Sequence, residues 1–350
     1  LFVLVISSYV VTSMKSEIAG ATTEVAAIVT FVIGVLCGME KFLMATSISL
    51  FVVVLLQFKD PLHSWVKALS KRELISAIKF VLVAFVVLPI LPNEFYGPYD
   101  FFNPYIIWLM VVFISGISFL SYVAIKLFGT KKGIGLTGFL SGLISSTALV
   151  LSFAPMSKKN KSVVEPYVIA IVIASSAMFF RVLLEVLVLN QTLFNMLLLP
   201  MSVMGGVGIL VSLYLFFRKD GKSSGKLNSK ALDLKSPFTL APALKFGLFF
   251  AVILFFVSYT KANLGDKGVY VTSVISGVLD VDAITVSIAN LAKNGLNKDV
   301  AVNAISIGAI TNTIVKGGIF AIFGGRRAAA KILLIFAAML FAGILTLLFV

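Results

Sequence analysis

Apolar runs separated by short basic or aromatic stretches recur along the whole chain. The runs at about 21–38, 42–58, 74–91, 104–126, 166–189, 194–217, 239–260, 301–322 and 329–350 are each of the length that crosses a bilayer as a helix. Residues 1–13 read as the end of one more, with the true N-terminus expected upstream. Two further apolar stretches, 133–154 and 268–289, differ from the rest because polar residues sit at their centres. In 268–289 these are Asp280 and Asp282; in 133–154 they are Ser145 and Thr147, with Ser146 between them. An ionisable side chain at membrane depth is costly and marks a functional position by default.

The two stretches are copies of each other. Gly133, Thr137, Ser141, Gly142, Ala148, Ser152 and Ala154 recur 135 positions later as Gly268, Thr272, Ser276, Gly277, Ala283, Ser287 and Ala289. At the same offset Lys126 falls on Lys261, Lys158 on Lys293, Ser176 on Thr311 and Arg181 on Lys316. Polar positions that hold one offset without a gap point to an ancestral duplication, with repeats at 104–217 and 239–350.

Loop charges decide how the copies sit in the membrane. Cytoplasmic loops carry an excess of Lys and Arg. The loop 92–103 has neither and is rich in aromatics, so it is placed outside. If every apolar stretch from residue 104 onward crosses, 8 loop Lys/Arg fall inside and 11 outside, the wrong sign. If the two repeat stretches enter and leave on one face, 15 fall inside and 4 outside. Each repeat then has three true spans, and the halves are inverted. The expected fold is an all-α polytopic membrane protein with about ten transmembrane helices, two re-entrant hairpins and an inverted repeat. Two ordinary spans, with the aspartates bonded to neighbouring helices, are the alternative. The domains expected are 1–57, 72–217, a basic cytoplasmic linker at 218–238, and 239–350.

Composition agrees with the pattern: 59% of residues are hydrophobic, 13% are charged, and mean hydropathy is +1.07. A soluble domain is about half apolar and a quarter charged. The net charge of +14 is therefore read as topogenic loop charge rather than a nucleic-acid surface. One His and one Cys exclude a conventional zinc or haem site within the chain. No P-loop, GxSxG or HExxH is present, so an enzyme is not expected. The partners expected are the bilayer, a small ion and a second copy of the chain. The location expected is a prokaryotic inner membrane.

Carboxylates, hydroxyls and freed carbonyls are hard oxygen ligands that suit Mg²⁺, Na⁺ or a proton. The candidate ion site comprises Asp280, Asp282, Ser145, Ser146, Thr147, Thr311 and Asn312, with the two aspartates as metal ligands. Arg181, Glu185 and Lys316 are the candidate charge partners. Arg181 and Glu185 are four apart and can pair on one helix face; Lys316 can neutralise either aspartate. Half-helix N-termini with Arg181 and Lys316 also leave an anion open, with the aspartates holding a co-transported cation. No cofactor beyond a bound cation is expected.

The segments TTEVAA (Thr22–Ala27), IWLMVVFISGISF (Ile107–Phe119), LTGFLSGLISSTA (Leu136–Ala148), LDVDAIT (Leu279–Thr285) and NTIVKGG (Asn312–Gly318) resemble the MgtC/SapB-related membrane proteins. The likeness is to those with a long C-terminal membrane domain of unknown function. Residues 1–57 resemble the end of the MgtC-like portion. The resemblance implies a link to magnesium homeostasis, by transport or by regulation of another membrane protein. It carries no site residues over.

Overall fold

The computed structural model describes residue 7 and residues 22–59, 70–128, 134–159, 164–218 and 240–348. Nearly all of the linker expected at 218–238, and of the run at 1–13, lies outside the described residues. Two compact units divide the chain, Leu1–Ser70 and Lys71–Val350. In the first, α1 (Thr22–Gly38) and α2 (Phe42–Gln57) pack on each other.

The second unit holds α3 (Lys71–Leu82), α4 (Pro104–Phe128), α5 (Ile134–Lys159), α6 (Val164–Leu189) and α7 (Gln191–Arg218). It continues with α8 (Leu240–Leu264), α9 (Asp266–Leu279), α10 (Val281–Lys293), α11 (Lys298–Phe323) and α12 (Arg326–Leu347). The described residues are all-helical apart from turns and one isolated bridge, Tyr96 to Phe102. Helix α6 is apolar around most of its circumference and buried nearly throughout, as a helix at the centre of a bundle must be. Helices α5, α7, α10 and α12 pack around it. Large apolar side chains stay exposed on the outer helices, among them Leu210, Phe217, Leu248, Leu334 and Phe341, where lipid replaces water as the solvent.

Among the described residues eight helices are long and apolar enough to cross a membrane. That is fewer than the ten expected, and one of the eight is α5, the first repeat stretch. The apolar parts of α1 and α2, Val25–Gly38 and Phe42–Gln57, are shorter than the rest.

Both repeat stretches break at their centres. Helix α5 is interrupted at Ser145, whose backbone is extended (φ −167°, ψ 105°). Helices α9 and α10 are separated by the single extended residue Asp280 (φ −156°, ψ 135°). The two breaks are 135 positions apart, the offset of the sequence repeat. Ser and Asp favour such places because their side chains cap the helix that follows. Ser145 Oγ accepts from the Ala148 N–H at 3.2 Å. Asp280 Oδ1 accepts from the Asp282 N–H at 2.7 Å.

In each stretch both halves pack on one long helix, α6 for the first and α11 for the second. Gly138 faces Ala170 and Gly142 faces Ala174, so the first half of α5 runs along α6 in the same sense. The second half puts Phe153 against Tyr167, near the start of α6, with ring centroids 5.5 Å apart. Likewise Gly308 of α11 lies against Ser273, Gly277 and Ile284, which touches both α9 and α10. These crossings need glycine. A Cβ on Gly142 would sit 2.5 Å from Ala174 Cα, and one on Gly277 2.6 Å from the Gly308 carbonyl oxygen.

Gly142→Ala and Gly277→Ala should each cost about 1–3 kcal/mol, because the atoms met are backbone and cannot rotate away. Gly206→Ala on α7, where nothing lies within 4 Å of the new Cβ, should be neutral or gain up to about 1 kcal/mol from helix propensity. Melting of the three purified variants in one detergent checks the contrast.

Candidate functional site

The two breaks come together. A cavity of about 330 Å³ is lined by Ser145, Ser146 and Thr147 from the first stretch and by Asp280, Val281 and Asp282 from the second. Arg181, Met178 and Asn312 complete much of its wall. Seven candidate residues named from sequence therefore share one cavity. Thr311 does not line it; its side chain packs against Gly277 instead.

Arg181 joins the parts. It projects from the C-terminal third of α6 and is only 6% exposed. One nitrogen pairs with Asp282 Oδ2. Nε donates to Glu185 Oε1 at 3.3 Å, one helical turn on. Another nitrogen donates to the carbonyls of Leu143 at 3.0 Å and Ile144 at 3.5 Å, which end the first half of α5. A planar guanidinium with five donors suits such a junction, where an ammonium would not reach every acceptor. The carbonyl end of a helix carries partial negative charge, so the cation is well placed there.

Of the charge partners expected, Arg181 is the one that meets Asp282; Lys316 hydrogen-bonds neither aspartate. Its ammonium, fully buried in α11, donates to the Met178 sulfur at 2.9 Å, and Met178 stands between it and the cavity. Arg181 and Lys316 both lie near enough to Asp280 for their charges to act on it. Glu185 is fully buried; Oε1 meets Arg181, and Oε2 has no hydrogen-bond partner among the described residues. Asn312 donates to the Gly277 carbonyl at 2.9 Å and so holds the end of α9 against α11. Sequence reasoning missed Met178 and the Leu143 and Ile144 carbonyls. Apolar and backbone groups carry no polar signature in a membrane sequence.

Among the described residues no three His, Cys, Asp or Glu side chains converge as a metal cage. Asp282 is engaged by Arg181, and Asp280 caps α10. The aspartates thus fit poorly as a dedicated pair of divalent-metal ligands, which would need free carboxylate oxygens. What remains for a cation is the free side of Asp280 with the neighbouring hydroxyls.

Residues 112–324 match a family described as a domain of unknown function (DUF4010), and residues 1–65 match the MgtC family. The chain belongs to the DUF4010 family. The resemblance read from sequence is met at both ends: an MgtC-type N-terminus precedes a C-terminal domain of unknown function. With the apolar helices, this makes the chain an integral membrane protein. An uncharacterized protein of Aquifex aeolicus (strain VF5) is 31% identical over 214 residues, 59% of this chain and 90% of that one. No solved structure matches the chain. The DUF4010 match contains both helix breaks and all five charged residues of the cluster.

Removing one member of a buried pair leaves the other charge uncompensated, at a cost of about 3–5 kcal/mol. Arg181→Gln should lose that much, and adding Asp282→Asn should restore part of it. The exposed Glu165–Lys331 pair, 2.5 Å apart, should be worth under about 1 kcal/mol. Double-mutant cycles on thermal or denaturant unfolding measure both.

Proposed function

We propose that this DUF4010 protein is a secondary transporter coupled to a monovalent cation. The observation that carries the reading is the meeting of two helix breaks, equivalent by the repeat offset, at one cavity beside four buried charged residues and the half-buried Asp280. Paired broken helices that meet near the midplane are the layout of many transporters built from inverted repeats. On this reading 133–154 and 268–289 are re-entrant hairpins that dip in from opposite faces. Non-helical backbone at that depth is tolerated where it borders a polar cavity.

Charge selects the class of ion. Asp280, Asp282 and Glu185 face Arg181 and Lys316, so the cluster in its ordinary ionised form is one negative charge in excess. An uncompensated charge in a low-dielectric interior is expensive. One proton or one Na⁺ offsets it. Mg²⁺ would leave an excess positive charge, and the carboxylates do not form a cage for it.

A second reading is a non-transporting regulator that acts in magnesium homeostasis through helix contacts with another membrane protein. The MgtC match over residues 1–65 favours it.

Flux separates the two. In proteoliposomes the full chain should dissipate an imposed Na⁺ or proton gradient, and Asp280→Asn should slow this at least tenfold. A wild-type chain that moves neither ion leaves the regulator reading standing. For the hairpins, Lys158→Cys and Lys226→Cys should both be labelled from the cytoplasm by an impermeant thiol reagent. Labelling from opposite faces would rule out the re-entrant arrangement.

A further inference from the structure

The two tips are built alike but charged differently. At the second, Asp280 caps α10 and Asp282 stands in its first turn, opposite Arg181. At the first, the corresponding residues are Ser145 and Thr147, both neutral. The half-helix 146–159 therefore opens on the cavity with no negative charge at its N-terminus. The residue corresponding to Arg181 is Lys316, which feels the charge of Asp280 but hydrogen-bonds no carboxylate among the described residues. Its one hydrogen-bond acceptor among the described residues is the Met178 thioether, a weak one. Ser146 gives an independent sign. It lines the cavity, is 7% exposed, and its hydroxyl makes no hydrogen bond among the described residues. A buried donor left open at a cavity wall is costly unless a ligand or water takes it.

We infer that the first tip binds a short-chain carboxylate, which takes the place that the Asp282 carboxylate holds at the second. The anion sits at the N-terminus of the half-helix 146–159, where the macrodipole favours negative charge. Ser146 and Thr147 hydroxyls donate to it, and Lys316 acts from behind Met178. A cavity of about 330 Å³ is in the range of small-molecule sites and larger than one bare ion needs. Leu151, Leu279 and Val281 line its apolar side and give a short alkyl tail a place.

The inference rests on the transporter reading and names its cargo. The empty cluster is already one negative charge in excess, so the carboxylate enters with two monovalent cations and the loaded site is neutral.

The test uses the full chain, purified in nanodiscs. Sodium propionate replaces sodium chloride at constant Na⁺, and unfolding temperature and titration calorimetry are read together. Propionate should raise the unfolding temperature where chloride does not. Ser146→Ala, which removes one hydroxyl and leaves the fold, should raise the propionate dissociation constant about tenfold. Lys316→Gln should abolish binding. Thr147→Asp supplies the carboxylate within the chain and should abolish it too, without a loss of unfolding temperature.

Propionate binding equal in wild type and all three variants, or an equal response to chloride, overturns the assignment. A parallel titration of Na⁺ and of pH without propionate separates the two readings. A cation response without a propionate response overturns the carboxylate alone. No response to either removes the transporter reading and this inference with it.

Discussion

The bond between Arg181 and Asp282 is the constraint on which the rest of the second unit depends. It joins two side chains 101 positions apart, one from each repeat. The same guanidinium holds the end of the first half-helix of α5 through the Leu143 and Ile144 carbonyls. Without it, two helix breaks would face each other with unsatisfied carbonyls and an unpaired carboxylate, in an interior that cannot solvate them. One residue thus compensates the irregular backbone of one stretch and the charge of the other.

The close packing follows from the same need. Arg181 reaches both tips only because the stretches lie tightly on α6 and α11. Gly142 against Ala174, and Gly277 against Gly308, set that closeness. Asn312 fixes the second stretch further by holding the Gly277 carbonyl. Small residues at helix crossings serve this role in membranes, where apolar burial gives no preference for protein over lipid. The cavity is what remains where the breaks prevent the helices from closing.

The repeat is exact in backbone placement and inexact in charge. Both breaks fall on residues that cap the following half-helix, yet one cap is a hydroxyl and the other a carboxylate. Helices α6 and α11 bury a basic residue at the corresponding position, yet Arg181 hydrogen-bonds carboxylates and Lys316 a thioether. The two stretches thus share the placement of their breaks and differ in chemistry. That divergence distinguishes a cation end from an anion end in the functional reading.

Much of this was legible in the sequence. The apolar run lengths gave the membrane class, because a bilayer accepts few backbone solutions. The constant offset gave the corresponding break positions, and the polar centres of the two stretches gave the cavity wall. The number of spans was less legible: α5 keeps the length and apolarity of a span although it breaks at Ser145. Which of the two candidate basic partners meets Asp282 was not legible. Arg181 and Lys316 are equivalent by offset, and only the packing of α6 against α10 puts Asp282 beside the first. Composition and periodicity are properties of neighbouring residues, so the chain determines them alone. Which buried charge meets which is decided by distances between residues far apart in sequence, and those exist only once the helices are packed.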